Sequence, residues 1–197
     1  LFPCPTLFRS EIFYNGPFDS MTSDSFDDLE LPGVFGEHAG RLLLMDNTRS
    51  EEGRALKSYS NKSEADSAAK ALKQLLDEKI HAVAITPHKG QVSEIQNRLP
   101  KEYRDKVRTV DGFQGKEADF IILSLVRNNK RTSSSRRWGF FRDPRRINVA
   151  LSRAREGLLV ITSINHIEGT DWDEGEGQLS HFVDAVRQRG KIIEDGR

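Results

Sequence analysis

The sequence predicts an α/β protein with a mostly parallel central sheet and helices on both faces. Short apolar runs alternate along the chain with stretches of helical periodicity. The longest apolar run, residues 120–126, is interrupted by Ser124 alone, and such a run is typical of a parallel strand that is buried on both faces. Strands that alternate with helices favour a three-layer arrangement around a parallel sheet.

The chain is predicted to begin with an irregular opening segment over residues 1–40, which is followed by one domain over residues 41–197. A strand is predicted at residues 41–46. Ser63 is expected to cap a helix, with Asp66 three residues later as a variant capping box. The apolar stripe of this helix is formed by six residues, namely Ala65, Ala68, Ala69, Leu72, Leu75 and Leu76.

Proline and glycine set the next boundaries. A strand is predicted at residues 81–86, where Pro87 stops it, and a helix at residues 90–99, where Pro100 ends it. A short strand at residues 107–110 leads into a glycine turn at residues 112–115.

The second half continues the alternation. The apolar run 120–126 is predicted to be a strand, and the Ser-rich, basic residues 128–137 a mobile loop. Pro144 suits the first turn of a helix that extends to about residue 155. A strand at 157–162, an amphipathic helix at 178–188 and an edge strand at 191–194 complete the prediction.

Composition excludes several classes of protein. The 30 basic and 30 acidic residues give no net charge, so overall charge does not indicate a nucleic-acid partner. Because Cys4 is the single cysteine, an internal disulfide and a cysteine-based zinc site are excluded, and an intracellular, reducing location is expected. The longest apolar run is too short for a membrane span. No metal ligand is predicted.

Residues 144–155, with the letters PRRINVALSRAR, are the first candidate site. As a helix they place Arg146 and Arg153 on one flank of an apolar face, and Asn148, Ser152 and Arg155 on the other. Arginines fixed in this way suit the recognition of phosphate. A solvated basic helix is the alternative interpretation, because charged residues on helices usually lie on the surface.

The second candidate is residues 107–119, VRTVDGFQGKEAD. Two glycines let the backbone approach a ligand, the Thr109 hydroxyl follows a strand, and Glu117 offers a carboxylate that suits sugar hydroxyls. An ordinary glycine turn between two strands is the alternative.

The third candidate is residues 85–91, ITPHKGQ. The predicted strand ends at Thr86, and Pro87 and Lys89 follow it. The Thr86 hydroxyl, the backbone amides and the Lys89 ammonium group suit a nucleic-acid backbone. A simple cap and turn is the alternative. Since ligands of such sheets bind beyond the carboxyl ends of strands, residues 86–91, residues 109–117 and the loop after residue 126 are predicted to share one rim. Trp138 could stack on bases there.

Taken together and in this order, the three motifs resemble the second RecA-like motor domain of superfamily 1 helicases, in particular the nonsense-mediated-decay RNA helicase and senataxin-like group. The stretch at residues 8–16, FRSEIFYNG, also resembles the family's pattern. Residues 1–3 fall where the family has Met-His-Pro. Phe2, Arg9 and Gly112 depart from the family's usual residues.

The resemblance implies a three-layer RecA-like P-loop NTPase fold and a role for several residues. Arg153 resembles the arginine finger that reaches the γ-phosphate of ATP, and Glu117 resembles the glutamate that binds the ribose. Gln114 and Gly115 would lie beside the nucleotide, with Arg155 and Arg146 as weaker candidates in the same cleft. Positions near the nucleic-acid backbone are expected to be Thr86, Pro87, Lys89, Thr109 and Asp111.

The resemblance further implies ATP with Mg2+ as cofactors, 5′-to-3′ movement on single-stranded RNA or DNA, and an N-terminal RecA-like domain of the same protein as partner. The chain has no GxxxxGK[ST] sequence, which normally holds the phosphates. The chain alone is therefore expected not to hydrolyse ATP. A non-catalytic nucleic-acid-binding module and a scaffold that retains the fold are the alternative functions.

Overall fold

The computed structural model describes residues 42–55, 58–131, 133–173 and 177–194, so the predicted opening segment and its FRSEIFYNG motif lie outside the described residues. The strands in the described ranges are β1 (Leu42–Asp46), β2 (Gly53–Ala55), β3 (Ser58–Ser60), β4 (Ala82–Thr86), β5 (Val107–Thr109), β6 (Ala118–Ser124), β7 (Ala154–Thr162) and β8 (Lys191–Glu194).

The α-helices are α1 (Lys62–Asp77), α2 (Lys89–Asn97), α3 (Ser134–Trp138), α4 (Pro144–Leu151), α5 (Ile164–Glu168) and α6 (Gln178–Arg189). Three 3-10 turns accompany them, at Lys101–Lys106, Asp111–Phe113 and Gly139–Arg142. In the part of the chain that the structure describes, no helix combines the length and the apolar character needed to cross a membrane.

Six strands form the central sheet in the order β5-β4-β6-β7-β1-β8, and every neighbouring pair is parallel. The β2–β3 hairpin is a separate antiparallel pair. Helices α1 and α2 bury their apolar residues against one face of the sheet, and α4, α5 and α6 against the other. The predicted fold class, a three-layer α/β domain with a parallel central sheet, is confirmed.

The start of α1 differs from the prediction. The N-cap is Asn61, whose side chain accepts a hydrogen bond from the Glu64 amide (3.2 Å), and the Ser63 hydroxyl instead donates to Asn47 Oδ1 (2.9 Å). Asparagine caps a helix as well as serine does, and Asn61 directly follows β3. The helix therefore begins two residues earlier than a cap at Ser63 would allow. The predicted apolar stripe is buried, with Leu76 at its margin.

The predicted helix over residues 144–155 is too long. Helix α4 ends at Leu151, and Ala154 already begins β7 by pairing with Ala118 of β6. The strand ladder satisfies the backbone groups there, so the helix cannot continue. Arg146 lies on the helix, Arg153 in the connection and Arg155 on the strand, which corrects the expectation that all three arginines project from one helix.

Part of the predicted mobile loop at residues 128–137 is helical, because α3 begins at Ser134. Trp138 is fully buried, donates its indole N–H to Thr170 Oγ1 (2.8 Å) and stacks on Trp172 (ring centroids 5.6 Å apart). Trp138 therefore cannot stack on a bound base, and the half-buried Trp172 packs at the margin of the core.

Candidate functional site

The predicted site residues lie at two opposite edges of the parallel sheet. Thr86 and Thr109 pair with each other at the carboxyl ends of β4 and β5. Glu117 and Arg153 immediately precede β6 and β7, at the amino ends of those strands. All four strands run in the same direction, so the two pairs lie about 20 Å apart at a rise of roughly 3.3 Å per residue.

This separation corrects the prediction of a single rim. Residues 86–91, Thr109 and the loop after β6 do share the carboxyl edge, whereas Glu117 lies at the amino edge. Residues 110–117 cross from one edge to the other. The error arose because a strand-turn-strand motif was placed wholly at the end of its first strand.

At the amino edge, Glu117 and Arg153 are brought side by side by strand pairing. Ala118 pairs with Ala154, and the Ala118 amide donates to the Arg153 carbonyl (3.2 Å). Each of the two residues directly precedes a paired residue, so an exposed carboxylate and a guanidinium extend from adjacent strand starts. The geometry agrees with a shared ligand for both.

Hydrogen bonds within the protein hold the Arg153 guanidinium in place, but they do not use all of its N–H donors. Its Nε donates to the Val149 carbonyl (2.9 Å), one Nη to Ser152 Oγ (3.0 Å) and the other to the Lys116 carbonyl (3.5 Å). A guanidinium carries five N–H donors. Two therefore have no acceptor among the described residues, and both can serve an anion.

Gln114 and Gly115 are exposed and lead directly to that group through Lys116. Gly115 adopts φ +77°, a left-handed conformation that favours glycine, and no atom lies within 4 Å of where a Cβ would be. Gly112 is required for a different reason, since a Cβ there would lie 2.9 Å from Thr109 Oγ1. The predicted tight turn between the two glycines is confirmed.

The two weaker candidates have protein partners. Arg155 forms an ion pair with Asp119 (2.9 Å) beside the start of β6. The Arg146 guanidinium stacks over the Phe140 ring (4.5 Å) and lies 3.9 Å from the Asp143 carboxylate. Arg155 is thus close to Arg153, while Arg146 belongs to the first turns of α4.

At the carboxyl edge, the predicted residues differ in exposure. Lys89 and Asp111 are exposed, Pro87 and Thr109 are half-buried, and the Thr109 hydroxyl accepts a hydrogen bond from the Gly112 amide (3.1 Å). Thr86 is fully buried, and its hydroxyl finds no hydrogen-bond partner among the described residues. This corrects the expectation that Thr86 presents its hydroxyl at the surface.

A group of buried polar residues supports this edge from below, and we call it the inner polar network: Asn61, Glu64, Gln91, Ser124 and the Val126 amide. Gln91 donates to Ser124 Oγ (2.9 Å), and Ser124 Oγ donates to Glu64 Oε2 (2.7 Å). The Val126 amide donates to the same oxygen (2.8 Å), and the Asn61 amide donates to Gln91 Oε1 (2.8 Å). The network joins α1, α2 and β6.

The network has two unusual members. Val126 has φ +72°, which is strained for a β-branched residue, and its bond to Glu64 fixes that turn. Burial raises the pKa of the Glu64 carboxyl to about 8, although the bonds from Ser124 and Val126 act in the opposite direction. A carboxyl that is uncharged near neutral pH therefore lies beneath the loop that follows β6.

Sequence reasoning missed these supporting residues. Glu64 follows the helical spacing of Ala68, Ala71 and Leu75 and was recognisable as a polar residue on a buried stripe. Asp119, the partner of Arg155, gave no such signal. In the described ranges, no group of three or more His, Cys, Asp and Glu side chains is arranged to hold a metal ion.

Residues 5–165 match a family model described as an AAA domain. The chain belongs to this family. The match includes all three motifs, the inner polar network and Arg153.

This AAA-domain chain is similar to several curated proteins, and two of the following three carry helicase names. A regulator of nonsense transcripts 1 homolog from Neurospora crassa is 34% identical and covers 81% of the chain. The ATP-dependent helicase upf1 of Schizosaccharomyces pombe is 34% identical over 98% of the chain, and an ATP-dependent helicase of Methanocaldococcus jannaschii is 38% identical over 70%.

The chain spans only a small part of these relatives, namely 15% of the first, 21% of the second and 20% of the third. Among solved structures, the C-terminal domain of a possible DNA helicase from Lactobacillus plantarum matches 97% of the chain and 94% of its own length. Its sequence identity is 13% and its TM-score is 0.47.

Proposed function

We propose that this AAA-domain chain is the second motor domain of an ATP-dependent nucleic-acid helicase or translocase. The observation that carries the proposal is that Arg153 and Glu117 directly precede the paired residues Ala154 and Ala118 at adjacent strand starts, with two guanidinium donors left for an anion. The helicase names of two relatives support the same class of activity.

In this proposal Arg153 contacts the γ-phosphate of ATP that is held mainly by an N-terminal RecA-like domain of the same protein. The guanidinium stabilises the charge that builds up on the transferred phosphoryl group, an effect worth about 10³–10⁵ in rate. The Glu117 carboxylate accepts hydrogen bonds from ribose hydroxyls, and exposed Gln114 and Gly115 lie beside the nucleotide.

Arg155 is assigned a supporting role, because its ion pair with Asp119 fixes it beside Arg153. Arg146 stays the weakest candidate of the cleft. The described residues contain no cluster that could hold Mg2+, and we propose that the metal is bound in the partner domain, where it neutralises phosphate charge.

The carboxyl edge provides part of the single-strand track. Lys89 contacts a phosphate, while Thr109, Asp111 and Pro87 border the strand. Thr86 supports this surface from beneath, since its side chain is buried and its carbonyl accepts the Val110 amide (3.0 Å). Closure and opening of the ATP cleft move this surface along single-stranded RNA or DNA, in the 5′-to-3′ direction.

The decisive experiment compares Arg153→Ala with Arg187→Ala in the full-length protein. Arg187 is a matched control, because it is a partly exposed arginine on α6 that pairs with Glu168. We expect Arg153→Ala to lower strand-stimulated ATP turnover by about 10³-fold or more while strand binding persists, and Arg187→Ala to leave turnover unchanged.

Unchanged turnover in Arg153→Ala would refute the role of this arginine. A full-length protein with neither turnover nor strand binding would favour the scaffold alternative. The isolated chain should show no ATP turnover above that of buffer, since the phosphate-binding loop is absent from its sequence.

A further inference from the structure

A cluster built around Tyr59 stands at the carboxyl edge, next to the proposed track. The Tyr59 ring lies edge-on to His88 (centroids 5.3 Å apart), with the Arg127 guanidinium 4.3 Å and the Arg131 guanidinium 5.9 Å from its centre. The hairpin β2–β3, the start of α2 and the loop after β6 thus meet at one side chain.

The two arginines of the cluster differ in role. Arg127 is buried and compensated, because it pairs with Glu52 (3.0 Å) and donates to the Arg137 carbonyl (2.8 Å). Arg131 is exposed, and among the described residues its guanidinium makes two long contacts, with the Tyr59 hydroxyl (3.5 Å) and the Arg136 carbonyl (3.4 Å). The contact with Arg131 lowers the pKa of Tyr59, which agrees with a positive charge held at the phenol.

Exposed positive charge surrounds the cluster. Arg54 is the cross-strand partner of Tyr59, so both side chains lie on the same face of the hairpin. Lys89 follows His88, and Lys130 precedes Arg131. The exposed acidic residue here is Glu51, which lies 3.6 Å from Lys130. We call Arg54, Tyr59, Lys89 and Arg131 the outer basic surface.

The position of this surface continues the row of strand ends. At the carboxyl edge, Thr109 ends β5, Thr86 ends β4, and the chain that leaves β6 leads to Arg127 and Arg131. Neighbouring strands are about 4.8 Å apart, so the row extends roughly 10 Å from β5 to β6. Lys89 belongs both to the proposed track and to the outer basic surface.

We propose that the outer basic surface extends the single-strand track, with Arg131 and Arg54 binding phosphates that follow the one bound by Lys89. A guanidinium suits phosphate because its planar donors match two phosphate oxygens. Tyr59 is a positioning residue, which keeps Arg131 over its ring and outside the protein. This inference rests on the proposed function, because it requires a strand on the carboxyl edge.

The test is the salt dependence of strand binding by the full-length protein, measured by fluorescence anisotropy with oligo-uridine and oligo-deoxythymidine. A plot of log affinity against log salt has a negative slope. Each lost phosphate contact makes this slope shallower, lowering its magnitude by about 0.7 for single strands. We expect Arg131→Ala to lower the slope by this amount with both probes. Lys70→Ala, an exposed charge on α1, should leave the slope unchanged.

Tyr59 is tested by a double-mutant cycle. Tyr59→Phe keeps the ring and should retain the slope, whereas Tyr59→Ala should lower it as Arg131→Ala does. The double variant should be no worse than either single variant, because both remove the same contact. If Tyr59→Ala acted only through loss of packing, its effect on the salt slope would instead add to that of Arg131→Ala in the double variant.

The outcomes separate this inference from the proposed function. An unchanged slope in Arg131→Ala, with strand binding intact, overturns the inference alone. Absence of strand binding in the unsubstituted protein overturns both. Equal competition by polyglutamate at matched charge would also overturn the inference, because the surface would then recognise acidic chains in general. Loss with one probe only would also overturn the inference, because both probes carry the same phosphates and the contact would then be to the sugar or the base.

Discussion

The ionisable side chains at the two edges of the sheet differ in burial. At the carboxyl edge, Glu64 and Arg127 are buried, and each makes several hydrogen bonds within the protein. At the amino edge, Glu117 is exposed and Arg153 keeps unused donors. Buried charges that lose a partner destabilise the fold, whereas exposed charges cost little when removed.

Residues that stabilise the fold and residues that act in turnover therefore lie at different edges of the sheet. A substitution within the inner polar network or at Arg127 should act first on the free energy of unfolding. A substitution at Arg153 should act on turnover and leave the fold intact. The three predictions that follow test this division, beginning with the largest expected change in stability.

Arg127→Ala should have the largest effect. It leaves the Glu52 carboxylate, 3.0 Å from Arg127 and buried, without its cation. We expect the free energy of unfolding to fall by about 3–5 kcal/mol, as measured by urea denaturation. Lys130→Ala is the matched control, because its pair with Glu51 is exposed and should contribute nothing measurable. A loss below about 1 kcal/mol would contradict the structural role of the buried pair.

Glu64→Gln should come next, and its effect should depend on pH. The folded-state pKa of about 8 lies above the ordinary value of 4.5, so the folded protein binds the proton more tightly than the unfolded chain does. Stability is therefore greatest below the unfolded pKa and decreases as pH rises towards 8, by about 1.4 kcal/mol per pH unit at most.

The glutamine variant cannot titrate at this position, so the contribution of Glu64 to the slope of stability against pH should disappear. Urea denaturation between about pH 5 and pH 8 measures the slope, and Glu78→Gln at the exposed end of α1 is the control. Identical slopes in Glu64→Gln and the unsubstituted protein would show that Glu64 titrates normally.

Arg153→Ala should have the smallest effect on stability. Its guanidinium makes three local hydrogen bonds, of which one is exposed and two are half-buried. We expect a loss of about 1 kcal/mol or less, measured by the same denaturation. A loss as large as that of Arg127→Ala would make Arg153 a structural residue and would remove the contrast between the two edges.

The sequence predicted most of the fold because the strands are apolar on both faces. The runs that became β4, β6 and β7 had no competing interpretation, and the stripe of α1 was correctly identified. Boundaries were less certain where two structures competed for the same residues. Helix α4 ends early because the ladder between β6 and β7 begins at Ala154, a tertiary contact that local periodicity does not contain.

The sequence predicted which residues of the candidate site are neighbours, but it wrongly placed all of them at one edge of the sheet. The order of the motifs brought Thr86 to Thr109, and Glu117 to Arg153, as strand pairing now explains. The distance between the two pairs depends on strand direction and register, which the motifs alone do not encode. The burial of Thr86 likewise depends on packing of α1 and α2 over the sheet end.

The crossing of residues 110–117 from one edge to the other places a limit on the length of that segment. It begins at the Thr86–Thr109 pair and ends at the Glu117–Arg153 pair, and both ends are fixed by strand register. An inserted or deleted residue would shift Gln114 and Gly115 relative to one edge or the other. Outside its two glycines, this segment should therefore tolerate substitutions far better than changes in its length.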